Sequence, residues 1–265
     1  MHIYAISTIF TAVMIYNLAL MLILGSREHS PRSFGFAAIL IGTWVLSAGF
    51  AFGTFELRPD LSAFFVRTCY YVGSLIAFAL FYFSLTYPEN HKPASYVRIL
   101  LVVGGVLFLP LYYAKDLAAL FGGQYVITEQ TMIKDVFLTP RGYLGWHFGN
   151  MIVFFDTIFF GFFGACLAAG WQKYRQQTDP ILRKQAYVMF LVLATGMIPT
   201  GIMNAAFPGI GLFGLFWVGL MSSFGWALLL GYSVVKQGQM NVRTATAELL
   251  IVAMILLMFI GFFAV

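Results

Sequence analysis

Residues 148–171 read FGNMIVFFDTIFFGFFGACLAAGW. These 24 residues hold one acidic side chain, Asp156, no basic one and no proline. As a helix the stretch would extend about 36 Å, enough to cross a hydrocarbon core of about 30 Å. Hydrocarbon offers no hydrogen bonds to unpaired backbone amides, so an open sheet cannot sit there. A transmembrane barrel would show alternation over strands of about ten residues. This run is continuous, and it reads as a membrane-spanning helix.

Seven further runs have the same character, at 3–24, 34–54, 63–86, 96–114, 185–206, 213–234 and 245–265. The chain of 265 residues is 61% hydrophobic and 9% charged, against about 25% charged in a soluble domain. The expected fold is all-α: a polytopic membrane helix bundle of seven helices over residues 1–240, with an eighth membrane segment in residues 241–265. The first run lacks a basic leader and is too long for a signal-peptide core, so it reads as a permanent helix. With the eighth run reaching residue 265, no soluble catalytic domain is expected within this chain.

Charge sets the expected orientation. The odd-numbered connections hold ten Lys and Arg residues, among them Arg27, Arg32, Lys92, Arg98, Lys173, Arg175, Arg183, Lys184, Lys236 and Arg243. The even side holds five: Arg58, Arg67, Lys115, Lys134 and Arg141. Basic loops favour the cytoplasm. The N-terminus is therefore expected outside and the odd loops inside. The net charge of +5 serves this asymmetry, and no basic cluster on a soluble face points to nucleic acid.

The long connection 115–147 is then external. Residues 124–128 and 132–138 have the β-branched character of two strands, with a turn at Glu129-Gln130-Thr131. Pro140-Arg141-Gly142 is expected to end this hairpin, and Trp146-His147 to anchor the next helix at the interface.

Ionisable groups inside a bilayer are costly and point to function. Asp156 sits among Phe154, Phe155, Phe159 and Phe160, and Arg67 lies at comparable depth, so the two are expected to be able to pair. Trp44, Tyr70, Tyr71, Asn150, Thr200 and Asn204 occupy similar depths, with Pro199 and Gly201 loosening the helix that carries the last two. Together these eight residues form the candidate ligand site, open towards the outer half. The basic residues Lys173, Arg175, Arg183, Lys184, Lys236 and Arg243 form the candidate output loops.

Other chemistry finds no residues to carry it. His2, His29, His91 and His147 are scattered, and Cys69 and Cys166 lie near opposite faces, so neither a metal site nor a disulfide is expected. No phosphate loop, no H-E-x-x-H and no G-x-S-x-G occurs. No lysine lies deep in a span for a retinal Schiff base. No cofactor and no catalytic residue is expected.

Several short stretches carry a resemblance: Arg183-Lys-Gln-Ala-Tyr, Asn204-Ala-Ala-Phe-Pro-Gly-Ile-Gly, Tyr232-Ser-Val-Val-Lys, Met240-Asn-Val-Arg and Thr246-Ala-Glu-Leu-Leu, with Trp44 and Leu85-Thr-Tyr-Pro-Glu earlier. The pattern resembles the N-terminal seven-transmembrane sensory region of bacterial sensor histidine kinases. It departs at Gln237-Gly238-Gln239, where relatives carry a basic and an apolar residue. The resemblance implies a membrane sensor in the bacterial cytoplasmic membrane, with the kinase module in cis or in trans. The expected partners are the lipid bilayer, a small-molecule or lipid ligand, that kinase module and a second copy in a homodimer. A small multi-pass transporter or membrane-embedded enzyme is the alternative reading, resting on Pro199-Thr-Gly and Gly104-Gly105 as helix breaks.

Overall fold

A computed structural model describes residues 2–90, 93, 95, 97, 99, 102–106, 112–113, 133–141, 143–150 and 152–234. The expected strand at 124–128, the turn at 129–131, Lys92, Arg98, Lys115, Lys236, Arg243 and the segment 241–265 lie outside these residues.

Among the described residues, six helices are long and apolar enough to cross a membrane. They are α1 (His2–Gly25), α2 (His29–Thr54), α3 (Pro59–Thr86), α4 (Ile152–Gln176), α5 (Pro180–Gly201) and α6 (Gly214–Val234). Helix α5 runs on through a π-helical turn, Ile202–Ala206, and one further helical turn, Phe207–Gly209. In the fourth expected span, 96–114, the described residues are helical. The chain is thus a polytopic helical membrane protein.

Helix starts follow their local chemistry. Pro59 opens α3 with Asp60 in its first turn, and Arg58 holds the Asp60 carboxylate at 2.7 and 3.0 Å. Pro fits the first helical position because its missing N–H would be unpaired there anyway. Asp179 caps α5 by accepting from the Ile181 and Leu182 amides, again with Pro next. Helix α2 is capped from a distance: Asn90 Oδ1 accepts from the His29 and Ser30 amides at 2.7 and 2.9 Å. Asn90 sits at φ 55°, a left-handed conformation that Asn tolerates better than most residues. These caps extend α2, α3 and α5 earlier than hydropathy alone places them (34, 63 and 185), since polar first turns score poorly as apolar runs.

The helices close into a ring. Each packs on the next from α1 to α6, and α6 returns against α1 and α2. Burial concentrates in α2 and α3, whereas α4 buries only Phe155, Phe163, Cys166 and Gly170. Large apolar side chains such as Val153, Phe154 and Phe160 face outward, as the faces that lipid solvates.

Two ends result. The basic end gathers the connection after α1, the residues after α3 and the α4–α5 turn. Lys173 Nζ donates to the Leu85 and Tyr87 carbonyls at 2.8 and 2.9 Å and lies 3.5 Å from Glu89. Ser30 Oγ donates to the Thr86 carbonyl. The opposite end carries an antiparallel hairpin, β1 (Ile133–Leu138) paired with β2 (Leu144–Phe148).

Of the expected strand at 132–138, residues 133–138 form β1; among the described residues its partner is Leu144–Phe148, and Pro140-Arg141 stand in the turn between the two instead of ending the unit. The turn closes because the Thr139 amide donates to the Tyr143 carbonyl and the Tyr143 amide to Thr139 Oγ1. Trp146 and His147 are therefore strand residues. The apolar run that reads as helical from 148 begins its helix at Ile152.

Candidate functional site

Inside the ring lies a cavity of about 40 Å³, room for a few water molecules. Trp44 reaches it from α2, Cys69, Tyr70 and Gly73 from α3, and Phe155 and Phe159 from α4. Helix α5 contributes Met197, Thr200 and Gly201, its π turn Asn204 and Ala205, and α6 Phe216 and Trp226. Four of the eight expected site residues, Trp44, Tyr70, Thr200 and Asn204, thus share one wall system.

Asn204 is set by the irregular course of α5. Pro199 has no amide to donate, and the π turn Ile202–Ala206 follows it. Such turns rotate side chains off the regular helical stripe and recur at functional sites. Asn204 Nδ2 donates to the Thr200 carbonyl at 2.7 Å. That bond fixes the amide orientation and leaves Oδ1, which is buried, without a hydrogen-bond partner. Thr200 Oγ1 bonds the Gly196 carbonyl and lies 3.1 Å from Ser222 Oγ. Trp226 Nε1 is also buried without a partner. One cavity therefore contains an unused acceptor and an unused donor, on residues 7% and 5% exposed. Leaving such groups unmet costs about 1–3 kcal/mol each.

Two glycines make this approach possible. A Cβ on Gly219 would fall 2.8 Å from Asn204 Cγ, and one on Gly196 would overlap the Trp226 side chain. The Asn204 and Trp226 side chains lie directly against the backbone of the facing helix here because Gly219 and Gly196 lack side chains.

The hairpin plugs the site from above. Trp146, 1% exposed, packs on Phe213 and Phe216 with ring centroids 5.0 and 4.9 Å away. Its Nε1 donates to Tyr70 Oη at 3.2 Å, and Tyr70 Oη donates to the Asn204 carbonyl at 3.2 Å. Tyr70 also meets Phe148 and Phe155 edge-on. One hydroxyl thus connects the hairpin, α3 and the π turn.

The other expected residues are elsewhere. Tyr71 faces a lateral groove and donates to the Gly105 carbonyl. Asn150 is exposed in the turn before α4. Arg67 is buried at the hairpin end, in a pocket shared with Asp60, Lys134 and Asp135. Asp156 is half-buried, with Oδ1 unbonded. The ion pairs among the described residues do not include Arg67 with Asp156, and Asp156 is not among the residues that line the Arg67 pocket. Depth fixes only one coordinate, and the helical face fixes the other.

The candidate output residues also divide. Lys173 is engaged as the cap of α3. Arg183 lies over the Tyr174 ring at 5.1 Å. Arg175 and Lys184 are exposed. Outside the spans, burial pushes the Glu28 carboxyl and the Tyr87 hydroxyl above their ordinary values.

Trp146, Trp226 and Phe216 belong to the site and escaped sequence reasoning. Trp146 reads as an interfacial anchor because its strand partner is non-local. Trp226 reads as one of many apolar aromatics. Its i+4 spacing from Ser222 on the same helix is the one available signal.

Comparison with protein-family models and with curated proteins gives no match.

Proposed function

We propose that this chain is a membrane-embedded sensor and signal-transduction domain, of the kind that feeds a two-component histidine kinase, and that its input site is the cavity between α3, α5 and α6. The single observation carrying this reading is the pairing of Asn204 Oδ1 and Trp226 Nε1, both buried and unbonded, in one cavity beneath a hairpin. The site suits a small neutral ligand that donates to Asn204 and accepts from Trp226, such as a short alcohol or primary amide. Occupancy would bias the π turn. The turn continues α5, whose far end is the Asp179 cap and the basic connection at Arg175, Arg183 and Lys184. A ligand can shift the bundle only by its difference in affinity between two packings, and a turn with two helical registers offers such a pair. In this reading the basic end faces the cytoplasm of a bacterial inner membrane, and a kinase in cis or in trans receives the signal.

The test is a titration of the purified chain with ethanol, butanol and acetamide, following the Trp226 indole N–H resonance by NMR, assigned with Trp226→Phe. A saturable shift, abolished by Asn204→Leu and kept by Asn150→Ala, is expected. A non-saturable drift, or equal shifts in Asn204→Leu, would overturn the assignment. The break at Pro199–Ala206 also suits a transporter, whose sites form at discontinuous helices. Solute flux in proteoliposomes would favour that reading over the sensor.

A further inference from the structure

A second site lies on the outer side of the ring, away from the cavity. A groove of about 680 Å³ runs between α2, α3 and residues 102–106, within the range of about 300–1,000 Å³ typical of ligand sites. Its two ends differ. At the basic end stand Arg32, Ser33 and the pair His29 Nε2 and Tyr82 Oη, 2.7 Å apart. The remainder is walled mainly by Phe36, Leu40, Leu75, Phe78 and Ala79. Phe36 is 59% exposed and Val106 63%, so the groove opens sideways to lipid.

Its length is informative. On α3 the lining runs from Tyr71 to Tyr82, about 16 Å at the helical rise. One leaflet of a hydrocarbon core of about 30 Å has nearly the same depth. The groove therefore spans a single leaflet, from a cationic rim to near mid-membrane, and between its ends its walls are mainly apolar. Arg32 commits only its Nε to protein, donating to the Ser26 carbonyl at 2.8 Å, and its side chain is exposed. Among the described residues, its terminal guanidinium nitrogens have no protein acceptor.

We propose that this groove binds one anionic phospholipid, with its phosphate on Arg32 and the His29–Tyr82 pair and an acyl chain along Phe36, Leu75 and Ala79. A phosphate beside a guanidinium forms charge-assisted, forked hydrogen bonds. Basic pockets at helix edges select anionic headgroups in this way. A zwitterionic lipid would fill the same apolar wall without that selection.

Native mass spectrometry of the full chain tests the proposal, with equimolar phosphatidylglycerol and phosphatidylcholine of matched chains. The expected result is a retained lipid with a roughly fivefold preference for phosphatidylglycerol, the scale of one basic residue at a membrane surface. Arg32→Gln should bring the two lipids level, and Arg32→Lys should keep most of the preference. Ala79→Trp fills the groove and should lose the retained lipid of both kinds, with circular dichroism checking its fold. Equal retention in the wild type, or an undiminished preference in both Arg32→Gln and Ala79→Trp, would overturn the proposal. So would inorganic phosphate displacing the lipid in full, because the apolar groove would then contribute nothing.

Discussion

Replacing Tyr70 by Phe removes one oxygen and leaves the ring. That oxygen accepts from Trp146 Nε1 and donates to the Asn204 carbonyl, each at 3.2 Å. Both bonds are long for their type, and interhelical bonds in bilayers average about 0.6 kcal/mol with a maximum near 1.7. The larger cost comes from what is left behind. Trp146 is 1% exposed, so its indole N–H loses its partner where water cannot replace it, at about 1–3 kcal/mol. The expected destabilisation of Tyr70→Phe is therefore about 1–3 kcal/mol. Trp146→Phe removes the same bond together with part of the contact on Phe213 and Phe216. The two changes should be non-additive, with a coupling of about 0.5 kcal/mol or more. Reversible unfolding of the chain in mixed micelles, for both single variants and the double variant, measures this. A Tyr70→Phe loss below about 0.3 kcal/mol, or additivity of the singles within that margin, would refute the plug.

Gly219→Ala should cost about 1–3 kcal/mol through overpacking against Asn204; a thermal melt in detergent reads it, and a neutral result would mean that the Asn204 side chain does not lie against the Gly219 backbone. Lys173→Met keeps the stem and removes the ammonium from the Leu85 and Tyr87 carbonyls, for an expected loss of about 1.5–3 kcal/mol by the same melt. Arg175→Met, at an exposed position, should be silent beside it. Asn90→Gly keeps the left-handed backbone but removes the cap of α2, at about 0.5–2 kcal/mol. Asn90→Ala should cost about 1–2 kcal/mol more because alanine resists that conformation, and equal effects of the two would argue against the φ of 55°.

Hydropathy located the helices because burial in lipid demands long uninterrupted apolar runs, and α1 and α6 begin and end within a residue of the expected spans. Caps escaped this reading where they are polar and distant, as Asn90 is for α2. Reading depth along each helix brought Trp44, Tyr70, Thr200 and Asn204 together, because the four lie on helix faces turned into the ring. The same reasoning failed for Tyr71, one residue on from Tyr70 and hence about 100° around the helix. It failed for Asn150 because the strand runs to Phe148 and a turn carries Asn150, so that the helix is entered only after it. The pairing of Arg67 with Asp156 failed for the same reason as Tyr71. The π turn is legible only as Pro199 followed by Gly201, and its consequence for Asn204 depends on contacts with Gly219 that no local pattern encodes.

In the proposed sensor an event in the cavity reaches the basic end through α5. Hydrogen exchange at the amides of residues 177–184 measures this directly, in nanodiscs with and without saturating butanol, in the wild type and in Asn204→Leu. A change of protection is expected at Ile181 and Leu182, the amides capped by Asp179, in the wild type and none in Asn204→Leu. Unchanged exchange in the wild type, with the Trp226 indole signal saturated, would show a binding site without transmission and contradict the sensor.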